Sequence, residues 1–223
     1  MKTVAFIPIK LNNERTPGKN IKPFADGTPL MNFVQKSLLL LKEEGVIDEA
    51  YVFCSDEAVK DYILEGISFL QRPKFLDCKE TKGTEIYETF VNMVEADVYV
   101  LAHATSPFVT SAHIKECIKA VQSEKYDSAF CAKEIQNFLW KNGVPMNFTL
   151  NDPPRTQDME PIYMEQSTPY VFTKETFMQY HARTGLKPYI CACSEIECVD
   201  IDYPEDFEMA NILYMNLLKN KEK

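Results

Sequence analysis

Short apolar runs rich in β-branched and aromatic residues alternate along the chain with stretches whose apolar residues recur at helical spacing. Residues 4–9 (Val-Ala-Phe-Ile-Pro-Ile) are almost continuously apolar, the pattern of a strand buried on both faces. In 30–44, Phe33, Val34, Leu38 and Leu41 share one helical face, and Gly45 ends the helix. A strand at 50–54, a helix at 57–65, a short strand at 68–70 and a helix capped by Thr84 and running to Ala96 follow. The pattern repeats as a buried strand at 98–102, a helix at 111–125 and a strand at 128–132. Further strands are expected at 170–172, 189–192 and 197–201, with a helix at 174–182 between the first two. A last helix opens at Pro204, its positive end beside Glu205 and Asp206, and buries Phe207, Ala210, Leu213, Leu217 and Leu218. Strands that alternate with helices predict an α/β fold, a mainly parallel sheet covered by helices on both faces in three layers.

Between about 137 and 170 the alternation stops. Pro145, Pro153, Pro154, Pro161 and Pro169 crowd a stretch with little helical period, so an irregular or β-rich insertion is expected inside a single domain spanning 1–223. The tail, 219–223, is expected to fray.

Composition narrows the partners. With 223 residues the chain is long enough for one sizeable core, and 45% apolar with 26% charged residues is the profile of a globular domain. A net charge of −9 argues against a nucleic-acid coat, since phosphate neutralisation needs basic patches. No apolar run is long enough to span a membrane, and the first residues lack the pattern of a signal peptide, so the expected place is the cytoplasm. Seven cysteines form no disulfide framework. Cys191, Cys193 and Cys198 lie close in sequence, but no second pair has zinc spacing; they read as small buried residues in a reducing compartment.

Three segments could carry chemistry. The loop after the first strand holds Lys10, Arg15, Lys19 and Lys22 with Gly18 beside Pro17; it reads either as an anion cradle suited to a triphosphate or as a plain solvated basic loop. It lacks the spacing of a Walker A loop. His103, Thr105 and Ser106 follow the 98–102 strand, where a polar cluster can line a substrate pocket or merely cap the next segment. Asp200 and Asp202, two apart on an expected strand, would face the same way and offer hard oxygen ligands to Mg²⁺; alternatively, Asp202 caps the last helix and Asp200 faces solvent.

In order and spacing these segments resemble the cytidylyltransferases that activate acidic sugars, acylneuraminate cytidylyltransferase and its ketodeoxyoctonate relatives. The family's Ile-Pro-Ala-Arg-x-x-Ser-x-x-x-Pro-x-Lys-Asn-Ile corresponds to residues 7–21, its Gln-Pro-Thr-Ser-Pro-Leu-Arg to 103–109, and its Ile-Asp-Ile-Asp-Thr-x-x-Asp-Leu to 199–207; Arg72-Pro73 matches a further short element. The resemblance implies a Rossmann-like sheet of the nucleotide-diphospho-sugar transferase type. It also implies an enzyme that moves CMP from CTP to a small acidic acceptor with release of pyrophosphate. Lys10, Leu11, Asn12, Asn13, Lys19 and Asn20 would hold CTP, and Arg72 and the segment near Thr84 would lie by its cytosine and ribose. Asp200 and Asp202 would hold Mg²⁺, with Lys10 and Lys19 sharing in catalysis. His103, Thr105, Ser106, Arg155 and Gln157 fall on the acceptor side, and the insertion would build a homodimer interface. The chain departs from the pattern at Lys10, His103 and Val109, where the family has arginine, glutamine and arginine. Lysine is a point charge and lacks arginine's bidentate grip on phosphate. Two rival readings remain: a nucleotide-sugar glycosyltransferase with Asp200-Ile201-Asp202 as its metal motif, and a non-catalytic nucleotide-binding subunit.

Overall fold

The structure, a computed structural model, describes residues 1–12 and 16–218; Asn13, the tail 219–223 and the side chains of Leu217 and Leu218 lie outside the described residues. The chain runs β1 (Thr3–Ile9), α1 (Leu30–Glu43), β2 (Glu49–Cys54), β3 (Ser68–Gln71), α2 (Gly83–Met93), β4 (Val98–Leu101), α3 (Ser111–Gln122) and β5 (Ser128–Ile135). A two-stranded hairpin, β6 (Trp140–Lys141) and β7 (Val144–Pro145), precedes β8 (Ile162–Thr173), α4 (Lys174–Tyr180), β9 (Pro188–Cys193) and α5 (Pro204–Leu213). No helix among the described residues is long and apolar enough to cross a membrane.

Seven strands form one sheet in the order β3-β2-β1-β4-β8-β5-β9. β1 pairs in parallel with β2 and β4, β2 with β3, and β5 with β9. β8 runs antiparallel between β4 and β5. The period of two along β1 sorts its side chains into two layers. Ala5, Ile7 and Ile9 pack with Val34 and Leu38 of α1 and Ile114 and Ile118 of α3. Val4 and Phe6 face the other way, against Phe90 and Val91 of α2 and Phe177 of α4. The expected three-layer α/β architecture with a mainly parallel sheet is therefore present. A third cluster joins Phe24, Leu30, Phe33 and Phe108 to Phe207, Ala210 and Tyr214, and encloses Ile201 completely.

Four local expectations are corrected. Residues 57–62 form a 3-10 helix, Glu57–Tyr62, opened by Asp56, whose side chain accepts from the Ala58 amide. α2 is capped at Lys82 rather than by Thr84, and the Glu85 carboxylate accepts the Lys82 N–H. β8 extends eight residues ahead of the expected strand, because its first half pairs with a β5 that itself runs on to Ile135. Residues 197–201 are not a strand: β9 ends at Cys193, and the chain then turns before reaching α5.

Candidate active site

The sheet order reverses between β1 and β4. From β1 the chain builds outward to β2 and β3, then returns to lay β4 on the other side of β1. Loops leaving the carboxyl ends of two such strands diverge, and the crevice between them is where open α/β sheets bind ligands. Here it is bordered by the loop after β1 and by residues 102–107 after β4.

The loop after β1 is fastened from its far end. Gly18 takes a left-handed conformation (φ 67°) that opens the 3-10 turn Lys19–Ile21 and turns Lys19 inward. Lys19 is 7% exposed; its Nζ donates to the Ile201 carbonyl at 2.6 Å and to Asp202 Oδ1 at 3.1 Å. Thr16 Oγ1 donates to the Asp202 carbonyl at 3.0 Å, and Asn20 Nδ2 to the Lys10 carbonyl at 2.9 Å. The basic loop and the aspartate segment, about 180 residues apart in sequence, are thus one unit.

Strand alternation does not position the two aspartates, since they lie on irregular chain. An anchor between them does. Ile201 is fully buried among the aromatic rings of the third cluster, and its N–H donates to the Thr105 carbonyl at 2.9 Å. With that residue fixed, the backbone on either side, which carries Asp200 and Asp202, is held next to the β4 loop. The helix cap is made by Asp206, whose Oδ2 accepts the amides of Asp202 and Tyr203 at 3.0 and 2.8 Å, so Asp202 is not needed for capping. Asp200 Oδ1 is buried and has no hydrogen-bond partner. A buried, unsatisfied carboxylate oxygen is costly unless a cation meets it. That orphan, beside a second carboxylate, fits a hard cation such as Mg²⁺, which takes one or two carboxylates and completes its shell with phosphate oxygens and water.

Lys10, Leu11 and Asn12 line an open cleft of about 240 Å³ with Ser55, Asp56, Asp77 and Lys79. Ser55, Asp56 and Asp77 also border a second hollow of about 630 Å³ with Gln71 and Lys74. Lys10 Nζ donates to the Asp77 carbonyl at 2.7 Å. Arg72 is almost fully buried; its Nη2 donates to Asp77 Oδ1 at 2.7 Å while its Nε is unpartnered. Burial pushes the Asp77 carboxyl up, but hydrogen bonds from Ser55 and Arg72 outweigh it and hold the group below its ordinary value. Arg72 therefore shapes the cleft wall through Asp77.

After β4, His103 Nδ1 lies 2.5 Å from the Ser167 carbonyl and Nε2 3.1 Å from the Tyr87 hydroxyl. Burial drives the imidazole down to about 4, so it is neutral at physiological pH. A neutral ring whose Nδ1 donates to a carbonyl must accept at Nε2, which sets the Tyr87 hydroxyl as donor. Thr168 ties the same region to β8, accepting the His103 amide at 2.8 Å and donating to its carbonyl at 3.0 Å. Tyr87 also lines a cleft of about 440 Å³ with Lys82, Thr84, Arg183 and Thr184. There Arg183 stacks 3.7 Å from the Tyr170 ring and pairs with Glu165 at 2.9 Å.

The structure thus joins Lys19 to Asp202 and Asn20 to Lys10, ties Thr105 to Ile201 between the two aspartates, and sets Lys10, Leu11 and Asn12 along a cleft with Arg72 bonded to Asp77 in its wall. Ser106 is buried behind the β4 loop with its Oγ unpartnered. Thr84 lines the Tyr87 cleft, a different one from that of Lys10. Arg155 and Gln157 stand exposed at a 3-10 turn in the insertion, with Arg155 paired to Asp158 at 2.7 Å. Sequence reasoning passed over Ser55, Asp56 and Asp77. The first two follow β2 directly and could have been found by the rule that picked out the loop after β1; Asp77 had no such signal. It also passed over Lys82, Tyr87 and Arg183, which sit on elements read only for their helical period.

The profile of the family described as cytidylyltransferase matches residues 4–223. N-acylneuraminate cytidylyltransferase of Streptococcus agalactiae serotype V is 25% identical over 218 residues, covering 93% of this chain and 52% of that protein. N-acylneuraminate cytidylyltransferase A of Danio rerio is 27% identical over 213 residues, covering 90% and 49%. The chain spans about half the length of these curated relatives. In fold it is similar to a CMP:2-keto-3-deoxy-manno-octonic acid synthetase solved with CTP, at a TM-score of 0.72 and 15% identity over 98% of this chain and 100% of that one.

Proposed function

The chain belongs to the cytidylyltransferase family, and from that premise we propose that it transfers CMP from CTP to a small acidic sugar of the nonulosonate class. An acceptor oxygen attacks the α-phosphorus, a new P–O bond forms, and the bond to the β-phosphate oxygen breaks to release pyrophosphate. The observation that carries the proposal is the clamp of Lys19 on Ile201 and Asp202, which fastens the basic loop to the aspartate pair at the mouth of the sheet. Reactions of this kind depend on positioning and on neutralising charge more than on covalent help from the protein.

In this reading Lys10, Leu11, Asn12 and Asn20 border the nucleotide. Lys19 spends two of its three N–H donors on the aspartate segment, so it acts first as a positioning residue for Asp202. Asp200 and Asp202 would hold Mg²⁺, which when bound neutralises phosphate charge. Lys82 and Arg183 line a cleft with Tyr87, whose hydroxyl meets the buried His103, and would supply the cations an acidic acceptor needs. The described residues act as one catalytic unit working as a homodimer in the cytoplasm, with 137–170 as the insertion between protomers. Support for that interface comes from Trp140, Val144, Met146 and Leu150, which are all more than half exposed.

A pyrophosphate-release screen with CTP, Mg²⁺ and a panel of nonulosonic and ketodeoxyoctonic acids tests the assignment. Release with at least one such acid, and none with neutral sugars, is expected; CTP binding without release across the panel would overturn it. Asp202→Asn should lower turnover by about a hundredfold or more, the scale set by loss of a key electrostatic group, while CTP still binds.

A further inference from the structure

On one face of the sheet, far along the chain from the loop after β1, soft ligand atoms gather between a helix and two strands. His113 and Cys117 stand one turn apart on α3 and so share a face. Cys131 of β5 is the register partner of Cys191 of β9, and Cys193 lies two residues further on the same side. Cys117, Cys131 and Cys191 are buried in the core cluster under α3, and Cys193 packs against it. One ligand atom each from His113, Cys191 and Cys193 lies within 4.8 Å of the others, and the same holds for Cys117, Cys131 and Cys191. All of these thiols are free.

The imidazole is held as metal-binding histidines are held. His113 Nδ1 is 2.6 Å from Oε1 of Glu197, a carboxylate that is itself buried and accepts from Thr110 Oγ1 at 2.9 Å and Ser194 Oγ at 2.8 Å. A carboxylate on one ring nitrogen fixes the ring and leaves the other for a metal, here Nε2. His113 and Cys193 are only partly buried, which provides a way in. The donors are thiol and imidazole, a set that favours Zn²⁺ over Mg²⁺. A tetrahedral zinc site with Zn–S near 2.3 Å places its ligand atoms about 3.8 Å apart, so atoms that lie within 4.8 Å of one another need to close by no more than about an ångström.

We propose that His113, Cys191, Cys193 and Cys131 bind one Zn²⁺, with Cys117 packed behind it, at a structural site separate from the Asp200 and Asp202 pair. The ion would tie α3 to the edge strand β9. It would also steady the turn after β9, since Glu197 lies three residues ahead of Asp200. The sequence concealed such a site because its ligands come from three elements, and only Cys191 and Cys193 are near neighbours.

The test is to titrate the full chain, reduced and freed of metal, with Co²⁺ and follow thiolate-to-cobalt charge-transfer absorption. One equivalent should saturate the band, Zn²⁺ should abolish it, and excess Mg²⁺ should leave it intact. Cys193→Ser and His113→Asn, checked for folding by circular dichroism, should each lose it, and Glu197→Gln should weaken binding about 10- to 100-fold. Cys78→Ser and Asp202→Asn should bind like the parent chain. No band at one equivalent, a band indifferent to Cys193→Ser and His113→Asn, or one lost in Asp202→Asn would overturn the proposal, as would thiols that pair into disulfides instead of taking up metal.

Discussion

The residues that matter most do so through partners the sequence could not pair. Lys10 and Lys19 were legible as basic residues on a loop leaving a buried strand, but nothing local said that Lys19 would turn away from solvent to grip Ile201 and Asp202. That contact depends on tertiary closure over some 180 residues. His103 is the clearest case of chemistry decided by surroundings. An ordinary histidine titrates near 6.5, whereas burial holds this one down at about 4. The unfolded chain therefore binds a proton between those values that the folded chain refuses, and folding stability falls as pH drops from 6.5 toward 4. By pH 4.5 this one group should cost on the order of 2 kcal/mol. His103→Gln, which restores the residue common in the resembling family, removes the titration. Urea midpoints of parent and variant should diverge progressively below pH 6.5, with the variant less acid-sensitive; parallel pH profiles would refute the assignment.

At the scale of elements, periodicity was reliable where one face is buried and failed where long-range pairing sets the conformation. β1, α1 and α3 form essentially as their patterns predict, because each buries a continuous apolar face. β8 was seen only at its core end: its first half is largely exposed, is cut off from that end in the sequence pattern by Pro169, and is held by antiparallel pairing with β5. The segment at 197–201 shows the opposite error. Alternating Val199, Asp200 and Ile201 look like a strand, yet the segment joins no sheet, and a single apolar anchor does the positioning. Ile201→Ala removes that anchor from a fully enclosed site and should cost about 2–5 kcal/mol of stability. Because the anchor lies between the two aspartates, pyrophosphate release should also fall at temperatures where circular dichroism shows the variant folded. A variant that loses stability but keeps full turnover when folded would separate the anchor from the site.

For the whole molecule, the α/β class and the two loops that leave the carboxyl ends of β1 and β4 were readable in advance; the antiparallel strand inside the sheet and the shape of the insertion were not. The insertion is also where the largest exposed apolar side chains collect. Trp140, Val144, Met146 and Leu150 are 54–65% exposed around the β6–β7 hairpin, a concentration that isolated surface residues do not produce. Each chain carries a formal charge of −9, so two copies repel at long range and association must rest on short-range apolar contact. These opposing effects make the proposed dimer distinctive. Salt screens the repulsion beyond about 10 Å at 0.1 M and leaves apolar burial in place, so the dimer should tighten as salt rises, whereas an interface held by ion pairs would loosen. Sedimentation equilibrium across a salt series reads the difference directly. Trp140→Asp places a charge in the apolar patch and should weaken association at every salt concentration while leaving the fold of each chain, read by circular dichroism, unchanged. A dimer that weakens with salt, or one indifferent to Trp140→Asp, would move the interface away from the hairpin.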